Sequence, residues 1–300
     1  MQQKIALEYY VLDVFSNTSY KGNPLSVVFT SGDLALEVYQ NIAKEFGYSE
    51  TSFVYYSPTQ KALNVRSFTP IGFEIDGAGH NLLGAVCGAL LKKIPIFREQ
   101  EDNNRFVIMK NTRIPLTVRF DPITQYPIVQ IHQKQAVIKH QIPTYKIAIA
   151  LGLKIEDLEI DMLVPTVVQT EVAHTMVPVR NSQLLNGCVP DNKLLIEISK
   201  EFQFEGFYCF AISDQNQEYI VETRFFNPII GIEEDPATGT AAGPLIGLLT
   251  KNRYTQPNKE YKILQGVKLN QASFIEVMSR EKDILVGGSS VITMRGELYI

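Results

Sequence analysis

The sequence predicts an α+β fold made of two related halves, and three observations lead to that prediction. The chain has 300 residues, and domains usually hold about 100–200 residues, so two domains are expected. Several short motifs recur in the same order at nearly one spacing. Strand-like segments alternate with helical segments that are apolar on most sides, and such a helix is expected inside a sheet rather than on a surface.

Four matches indicate the internal repeat. Ile42 begins the segment IAKEFGY, and Ile198 begins ISKEFQF, 156 residues later. Arg66 begins RSFTP, and Arg224 begins RFFNP, 158 residues later. An acidic, glycine-containing turn follows each proline, and an apolar segment rich in small residues follows each turn. Because both the order and the spacing are kept, we infer that the two halves share one fold.

The elements of the first half follow from hydrophobic periodicity. Residues 33–46 place apolar side chains at helical spacing, which predicts a helix. Residues 52–56 form a short apolar run and residues 63–68 alternate, so two strands are expected. A loop follows, and an apolar helix is expected from about Asn81.

The second half predicts the same order of elements. A helix is expected over 194–202, strands over 206–213 and 219–226, and an apolar helix from Thr240. Two prolines and a turn signal within 121–127 predict the domain boundary. We therefore expect an N-terminal domain over 1–125 and a C-terminal domain over 126–300, with the last strand a candidate to cross back to the first domain.

Composition excludes several classes of protein. The chain carries 28 Lys and Arg against 32 Asp and Glu, a net charge of −4, so the basic excess of a nucleic-acid or anionic-membrane binder is missing. No apolar run reaches the ~18 residues that a transmembrane helix needs. The three cysteines are widely spaced and form no CxxC motif. We therefore expect a cytoplasmic, reduced protein without a metal, whose partner is a small-molecule substrate rather than nucleic acid or membrane.

Two glycine-containing turns, EIDGAGH at 74–80 and EEDPATGT at 233–240, stand before the two apolar helices. A helix N-terminus offers unpaired N–H groups and the positive end of the helix dipole, which suit a carboxylate or an oxyanion. Gly77 and Gly79 would let a ligand approach the first turn closely, and Gly239 would do the same at the second. The alternative is that these glycines only make tight turns.

The second turn adds Thr238 and Thr240 as candidate substrate contacts. Neither turn continues into the G-K-[ST] of a Walker loop, and Gly77-Ala78-Gly79 lacks the third glycine of the dinucleotide fingerprint. Nucleotide binding therefore ranks last among the functions considered.

Four titratable residues stand near the turns. Glu50 lies at a helix-to-strand turn, where a partly buried carboxylate would suit acid–base proton transfer; the alternative is a solvated turn residue or local capping. Asp76 and Asp235 precede the two helices, and either could cap its helix. His80 follows Gly79 and is either a ligand or proton contact or a polar first-turn residue.

Together these motifs resemble the PhzF family, the phenazine-biosynthesis isomerase-like proteins, which share a fold with diaminopimelate epimerase. The segments that carry the likeness are DVF at 13–15, GNPLSVV at 22–28, SETSFV at 49–54, RSFTP at 66–70, GAGH at 77–80, EDPATGTA at 234–241, QG at 265–266 and VGG at 286–288. They run along most of the chain.

The resemblance implies two pseudo-symmetric diaminopimelate epimerase-like domains, each a curled mixed or antiparallel sheet around a central helix. It implies a homodimeric biosynthetic isomerase that uses no cofactor and shifts a proton on a small, cyclic metabolite bearing amino and carboxylate groups in the cleft between the domains. It also implies that Glu50 carries the proton and that His80, Asp235 and Thr240 are its catalytic partners, with Asp76, Gly77, Gly79, Thr238 and Gly239 around the substrate.

Departures from the family pattern leave the substrate open. Thr240 stands where the family often has Ser, Asn81 where Pro is usual, and residues 269–273 lack the family's Arg. The two-cysteine racemases of the same fold place one thiol at each turn, and neither turn here contains Cys, so that mechanism is not expected. The alternative function is a non-catalytic member of the fold that binds a small molecule or a protein.

Overall fold

The computed structural model describes residues 5–75, 77–97, 105–213 and 218–300. The predicted substrate residue Asp76 lies outside these residues. The chain forms two compact units, one made of Met1–His132 with Gly287–Ile300 and the other of Gln133–Val286. Each unit has its own central helix.

The first unit is built on eight strands and two helices. They are β1 (Ala6–Val14), β2 (Asn23–Phe29), α1 (Leu36–Phe46), β3 (Thr51–Ser57), β4 (Ala62–Phe68), α2 (His80–Leu91), β5 (Phe106–Met109), β6 (Thr112–Phe120), β7 (Pro127–Gln133) and β16 (Ile284–Tyr299). Strands β1 to β7 neighbour one another in chain order, and β16 lies beside both β1 and β7. The sheet therefore closes on itself around α2, which packs on β1 to β4.

Small residues let α2 fit inside this sheet. Its residues from Asn81 to Ala89 are all buried, and a Cβ at Gly84 would lie 2.5 Å from the Leu25 side chain on β2. Where β16 and β7 lie side by side, a Cβ at Gly287 of β16 would lie 2.0 Å from the carbonyl oxygen of Val129 on β7. The apolar, glycine-containing composition is thus a requirement of close packing.

Helix α1 covers the outer face of the same sheet. Tyr39, Ile42 and Ala43 of α1 pack with Phe53 of β3 and Phe68 of β4 in one apolar cluster. The predicted start at residue 33 is three residues early, because the backbone N–H of Leu34 donates to the Tyr39 hydroxyl instead of entering the helix.

The second unit repeats this arrangement with more outer helices. Its elements are β8 (Val137–Gln141), α3 (Thr144–Leu151), β9 (Thr166–Gln169), β10 (Ala173–Pro178), α4 (Ser182–Gly187), α5 (Asn192–Phe202), β11 (Gly206–Ile212), β12 (Val221–Asn227), β13 (Ile232–Asp235), α6 (Gly239–Lys251), β14 (Tyr261–Gln265) and β15 (Ser273–Ser279). The sheet order is β15-β14-β12-β11-β10-β9-β8, with β13 on β12. Helix α6 packs on β9, β10, β11 and β15, whereas α3, α4 and α5 join a separate core cluster.

The repeat predicted from the sequence is a repeat of structure. In the first unit β2 runs parallel to β3, and β3 pairs antiparallel with β4. In the second unit β10 runs parallel to β11, and β11 pairs antiparallel with β12. Helices α1 and α5 precede the equivalent strands β3 and β11, and α2 and α6 follow the equivalent turns. The eight elements expected from periodicity are confirmed within two or three residues at their ends.

Within the described ranges, the longest apolar helices fall short of what a membrane crossing requires.

Candidate functional site

In the first unit the fold brings Glu50 and His80 together. Glu50 stands just before β3, and His80 is the first residue of α2. The Nδ1 atom of His80 lies 3.7 Å from Oε2 of Glu50, and their side chains are only 12% and 18% exposed. A carboxylate and an imidazole thus share a mostly buried position at the N-terminus of the central helix.

Burial favours the neutral imidazole of His80 over the charged one. Burial lowers the pKa of His80 to about 4, because a charged ring loses its hydration there. The contact with Glu50 is therefore not an ion pair near pH 7. A neutral ring offers one donor and one acceptor, and the second nitrogen, Nε2, lies 3.5 Å from Oγ of Ser49.

Asn81 holds the first glycine-containing turn in place. Its Oδ1 accepts the backbone N–H of Gly79 at 2.8 Å, and its Nδ2 donates to the carbonyl of Gly77 at 3.1 Å. The Asn81 carbonyl in turn accepts the hydroxyl of buried Ser52 on β3 at 3.1 Å. The Gly79 N–H is thus committed to Asn81, whereas a Cβ at Gly77 would meet no atom within 4 Å. Gly77 is therefore the more open position for a ligand.

In the second unit Asp235 ends β13, three residues before Thr238, the residue that precedes α6. The Thr238 hydroxyl donates a hydrogen bond to Oδ2 of Asp235. The side chain of Thr238, the residue before α6, makes no capping hydrogen bond to the helix. The Thr238 hydroxyl is therefore directed to the Asp235 carboxylate and not to a backbone N–H of α6.

Gln265 braces the second turn from β14. Its Nε2 donates to the Asp235 carbonyl at 2.7 Å, and its Oε1 accepts the Thr238 N–H at 3.1 Å. Gly266 follows with a φ of +80°, and a Cβ there would lie 2.7 Å from the carbonyl oxygen of Pro236. The Gln-Gly pair therefore supplies two hydrogen bonds and the space that the turn needs.

Two of the acidic residues near the turns form ion pairs with arginines. Arg224 donates from Nε and Nη2 to the two carboxylate oxygens of Glu234 at 2.9 and 2.8 Å. Arg66 binds Glu74 in the same way at 2.8 and 2.9 Å. Glu234 is 13% exposed and belongs to a structural ion pair.

The remaining predicted residues lie at the start of α6. Gly239 is buried and its carbonyl accepts a hydrogen bond from Nε2 of Gln133 at 3.0 Å, while Thr240 follows in the first turn and is half-buried. The predicted site residues that the structure describes thus form two groups. Glu50, His80, Gly77 and Gly79 lie in the first unit, and the others lie in the second, namely Asp235, Thr238, Gly239 and Thr240.

The cysteines lie elsewhere. Cys87, Cys188 and Cys209 are all buried and unbridged. Burial raises the pKa of the Cys87 thiol to about 12 and also raises the pKa values of Cys188 and Cys209. None stands in the first turn of α2 or α6. Through the described ranges, no group of three or more His, Cys, Asp or Glu side chains is placed to bind a metal ion.

Sequence reasoning missed the two carboxamides that hold the turns. The sequence marks Asn81 only as a departure from the family pattern and Gln265 only as part of a short motif. An Asn two residues after a glycine at a helix start is a usable local signal, because Asn side chains often bond to nearby backbone groups. No local signal could have paired Gln265 with a turn 30 residues earlier.

Solved structures with the same architecture define the class of protein. A PhzF-family phenazine biosynthesis protein of Bacillus anthracis matches with a TM-score of 0.86 at 23% identity, over 99% of this chain and 100% of that one. A hydroxyproline epimerase of Agrobacterium vitis with bound trans-4-hydroxy-L-proline matches with a TM-score of 0.62 at 10% identity, over 100% of this chain and 94% of that one. The chain has the epimerase-like fold, and the predicted fold class is confirmed.

Comparison of sequences identifies the family. Residues 12–296 match the model of the PhzC-PhzF family, described as phenazine biosynthesis-like protein. A trans-2,3-dihydro-3-hydroxyanthranilate isomerase of Pseudomonas aeruginosa is 27% identical over 97% of this chain and 99% of its own. An uncharacterized isomerase of Clostridium acetobutylicum is 25% identical over 97% of each chain. The chain belongs to the PhzC-PhzF family and is an isomerase of that family, as the motifs predicted.

Proposed function

We propose that this isomerase moves a proton between two carbons of a small, cyclic metabolite that bears amino and carboxylate groups, without a cofactor. The observation that carries the proposal is the contact between Glu50 and neutral His80 at the start of α2. A proton carrier must accept a proton and then release it. A carboxylate beside a neutral ring suits both steps, because the ring can offer it a hydrogen bond as donor or acceptor.

In the proposed reaction Glu50 does the bond-breaking chemistry. Its carboxylate takes a proton from one ring carbon, and the C–H electrons move into the neighbouring π system. The carboxylic acid, whose O–H hydrogen exchanges with solvent, then gives a proton to a second carbon, and the double bond shifts accordingly. Atoms and electrons balance within the substrate, so the carboxylate ends as it began.

The other predicted residues orient the substrate. His80 donates or accepts one hydrogen bond through its neutral ring, and Asp235 and Thr240 of the second unit contact polar groups of the same molecule. Backbone N–H groups at the starts of the two central helices stabilise the substrate carboxylate or the charge that develops as the proton leaves.

The relative in Pseudomonas aeruginosa supplies the first probe. Its name assigns it to trans-2,3-dihydro-3-hydroxyanthranilate, a cyclic compound with amino and carboxylate groups. At 27% identity, and with Asn81 and Thr240 departing from the family pattern, we propose the chemical class for this chain and use that compound as its test member.

The experiment follows solvent hydrogen in the product. The protein is incubated in D₂O with trans-2,3-dihydro-3-hydroxyanthranilate, and then with a panel of cyclic amino acids and hydroxyanthranilate analogues. Mass spectrometry measures deuterium uptake and isomerisation. Wild type is expected to catalyse both, and Glu50→Gln is expected to lose at least about 100-fold in rate, the usual scale of a lost acid–base group.

Glu45→Gln is the matched control, because Glu45 is exposed on α1, five residues before Glu50. It is expected to keep the wild-type rate. Full activity of Glu50→Gln would overturn the assignment of Glu50. Ligands that raise the melting temperature of the wild type without any exchange or isomerisation would instead identify a binding protein and overturn the proposed reaction.

A further inference from the structure

The side chain of Gln265 is completely buried and uses all of its hydrogen-bonding capacity on the second turn and on β11. Oε1 accepts the Thr238 N–H at 3.1 Å and the Tyr208 hydroxyl at 2.9 Å. Nε2 donates to the Asp235 carbonyl at 2.7 Å and to Oγ1 of Thr238 at 3.1 Å. Two acceptor sites and two donor hydrogens are the whole inventory of a carboxamide.

These partners fix which way the carboxamide points. A backbone N–H can only donate, so Thr238 N must face the oxygen of Gln265. A backbone carbonyl can only accept, so Asp235 O must face the nitrogen. The reversed amide would place two donors together and two acceptors together.

The fixed amide in turn fixes the Thr238 hydroxyl. Because Nε2 of Gln265 donates to Oγ1 of Thr238, the single hydrogen of that hydroxyl is left for Asp235. The hydroxyl of Thr238 donates to Oδ2 of Asp235. Thr238 itself is only 7% exposed. The direction of each hydrogen bond therefore runs one way, from Tyr208 through Gln265 and Thr238 to the carboxylate.

We propose that Gln265 and Thr238 are positioning residues that hold Asp235 as a hydrogen-bond-accepting carboxylate of fixed orientation throughout the reaction. Asp235 then binds donor groups of the substrate and does not carry protons, which leaves proton transfer to Glu50. The part of this inference that concerns the substrate rests on the proposed function. The ionisation and hydrogen bonding of Asp235 do not depend on the proposed function.

The charged and titratable groups packed around Asp235 in its own unit agree with this role. Tyr208 of β11 faces it, and burial raises the pKa of that phenol above its usual value, so it stays a neutral donor. Glu234 of β13 is bound by Arg224 of β12. The first turn of α6 contributes no acidic residue, and β14 contributes the neutral Gln265. The Thr238 hydroxyl is therefore the group whose removal tests the idea.

The experiment measures the titration of the Asp235 carboxyl group directly. Protein labelled with ¹³C at the aspartate side-chain carboxyl carbon is titrated by NMR, and the Asp235 signal is assigned by its loss in Asp235→Asn. Thr238→Val keeps the shape of the side chain but removes the hydroxyl, and Thr238→Ser keeps the hydroxyl. We expect the midpoint of the Asp235 titration to rise by about one pH unit in Thr238→Val and to stay near the wild-type value in Thr238→Ser.

A folded Thr238→Val protein, with wild-type near-UV circular dichroism, that titrates at the wild-type midpoint would overturn the proposal. Gln265→Leu is a second variant, expected to raise the midpoint as well because the hydroxyl is then free to turn away. Deuterium exchange tests the proposed function separately from the positioning of Asp235. A shifted titration in a protein that exchanges no probe would refute the proposed function alone, whereas normal exchange with an unshifted titration would refute this inference alone.

Discussion

Asn81 in the first unit and Gln265 in the second make the same pair of hydrogen bonds. Each side-chain oxygen accepts a backbone N–H of its turn, from Gly79 and Thr238 respectively. Each side-chain nitrogen donates to a carbonyl two or three residues earlier in that turn, at Gly77 and Asp235. Both carboxamides are buried, at 1% and 0% exposure. A single carboxamide thus fixes the shape of each turn at the start of a central helix.

The first prediction concerns Asn81. Replacement by Ala removes both hydrogen bonds and leaves buried turn groups unsatisfied, so we expect Asn81→Ala to lower the free energy of unfolding by about 2 kcal/mol. Asn41→Ala is the matched control, because Asn41 is exposed on α1 and Ala favours a helix there. Urea denaturation compares them, and equal midpoints for the two variants would contradict the bracing role.

The second prediction compares the two arginine–glutamate pairs. The Arg224 and Glu234 side chains are 5% and 13% exposed, whereas those of Arg66 and Glu74 are 29% and 21% exposed. Glu234→Gln leaves a buried guanidinium without its counter-charge, so we expect a loss of about 3 kcal/mol in unfolding free energy.

Glu74→Gln makes the same change in the more exposed pair and is expected to lose about 1 kcal/mol or less. The denaturant guanidinium chloride is a salt and would screen these charges, so both variants are unfolded with urea. A loss from Glu74→Gln as large as that from Glu234→Gln would show that burial does not decide the strength of the pair.

The third prediction is a dependence of stability on pH. Burial lowers the pKa of His174 to about 3 and that of His80 to about 4, from an ordinary value of 6.5. Between these values the unfolded chain binds more protons than the folded one, so acid favours unfolding. We expect stability to be constant above pH 6.5 with respect to these groups and to fall below it by about 1.4 kcal/mol per pH unit for each histidine.

His174→Asn tests this directly. Nδ1 of His174 accepts the Gly206 N–H at 3.2 Å, and the oxygen of Asn can take over that bond without titrating. Urea midpoints measured at pH 7, 6 and 5 should fall less steeply in this variant than in wild type. His140→Asn, at an exposed position, should keep the wild-type slope, and an unchanged slope in His174→Asn would contradict the prediction.

The fourth prediction separates backbone strain from steric clash. Gly266 and Gly231 have φ values of +80° and +84°, so Ala is strained at both. At Gly231 a Cβ meets nothing within 4 Å, and we expect Gly231→Ala to lose about 1 kcal/mol. At Gly266 the Cβ would lie 2.4 Å from the Gln271 carbonyl oxygen, so Gly266→Ala should lose at least about 2 kcal/mol.

Gly266→Ala should also lower the rate of deuterium exchange, since Pro236 belongs to the turn that carries Asp235. Gly231→Ala should leave that rate unchanged. The outcome that counts against this reasoning is an equal loss of stability in both variants.

The fifth prediction concerns the thiols. The three cysteines are buried and none starts a central helix, and burial raises their pKa values, so native protein should react slowly with iodoacetamide and keep its activity. Unfolding in urea should expose all three. Loss of exchange activity in Cys87→Ala, with the fold intact, would contradict a mechanism without a thiol.

Local sequence patterns determined most of the architecture. The period of the apolar residues predicted α1, β3, β4 and α2 and their counterparts α5, β11, β12 and α6, because both faces of a central helix and one face of an outer helix must be buried. The recurrence of these patterns also identified the repeat. These features depend on neighbours within a few positions, which is why a single sequence reveals them.

Contacts between distant residues were decided only by the tertiary structure. Glu50 meets His80 across 30 positions, and Gln265 reaches Asp235 across another 30. Whether Glu234 or Asp235 faced an arginine depended on the register of β12 against β13. A shift of one residue in a strand turns every side chain to the opposite face. The sequence alone therefore predicted the candidate residues and the family. The pairing of strands in the folded chain determined which candidates are in contact with each other and which form ion pairs with arginines instead.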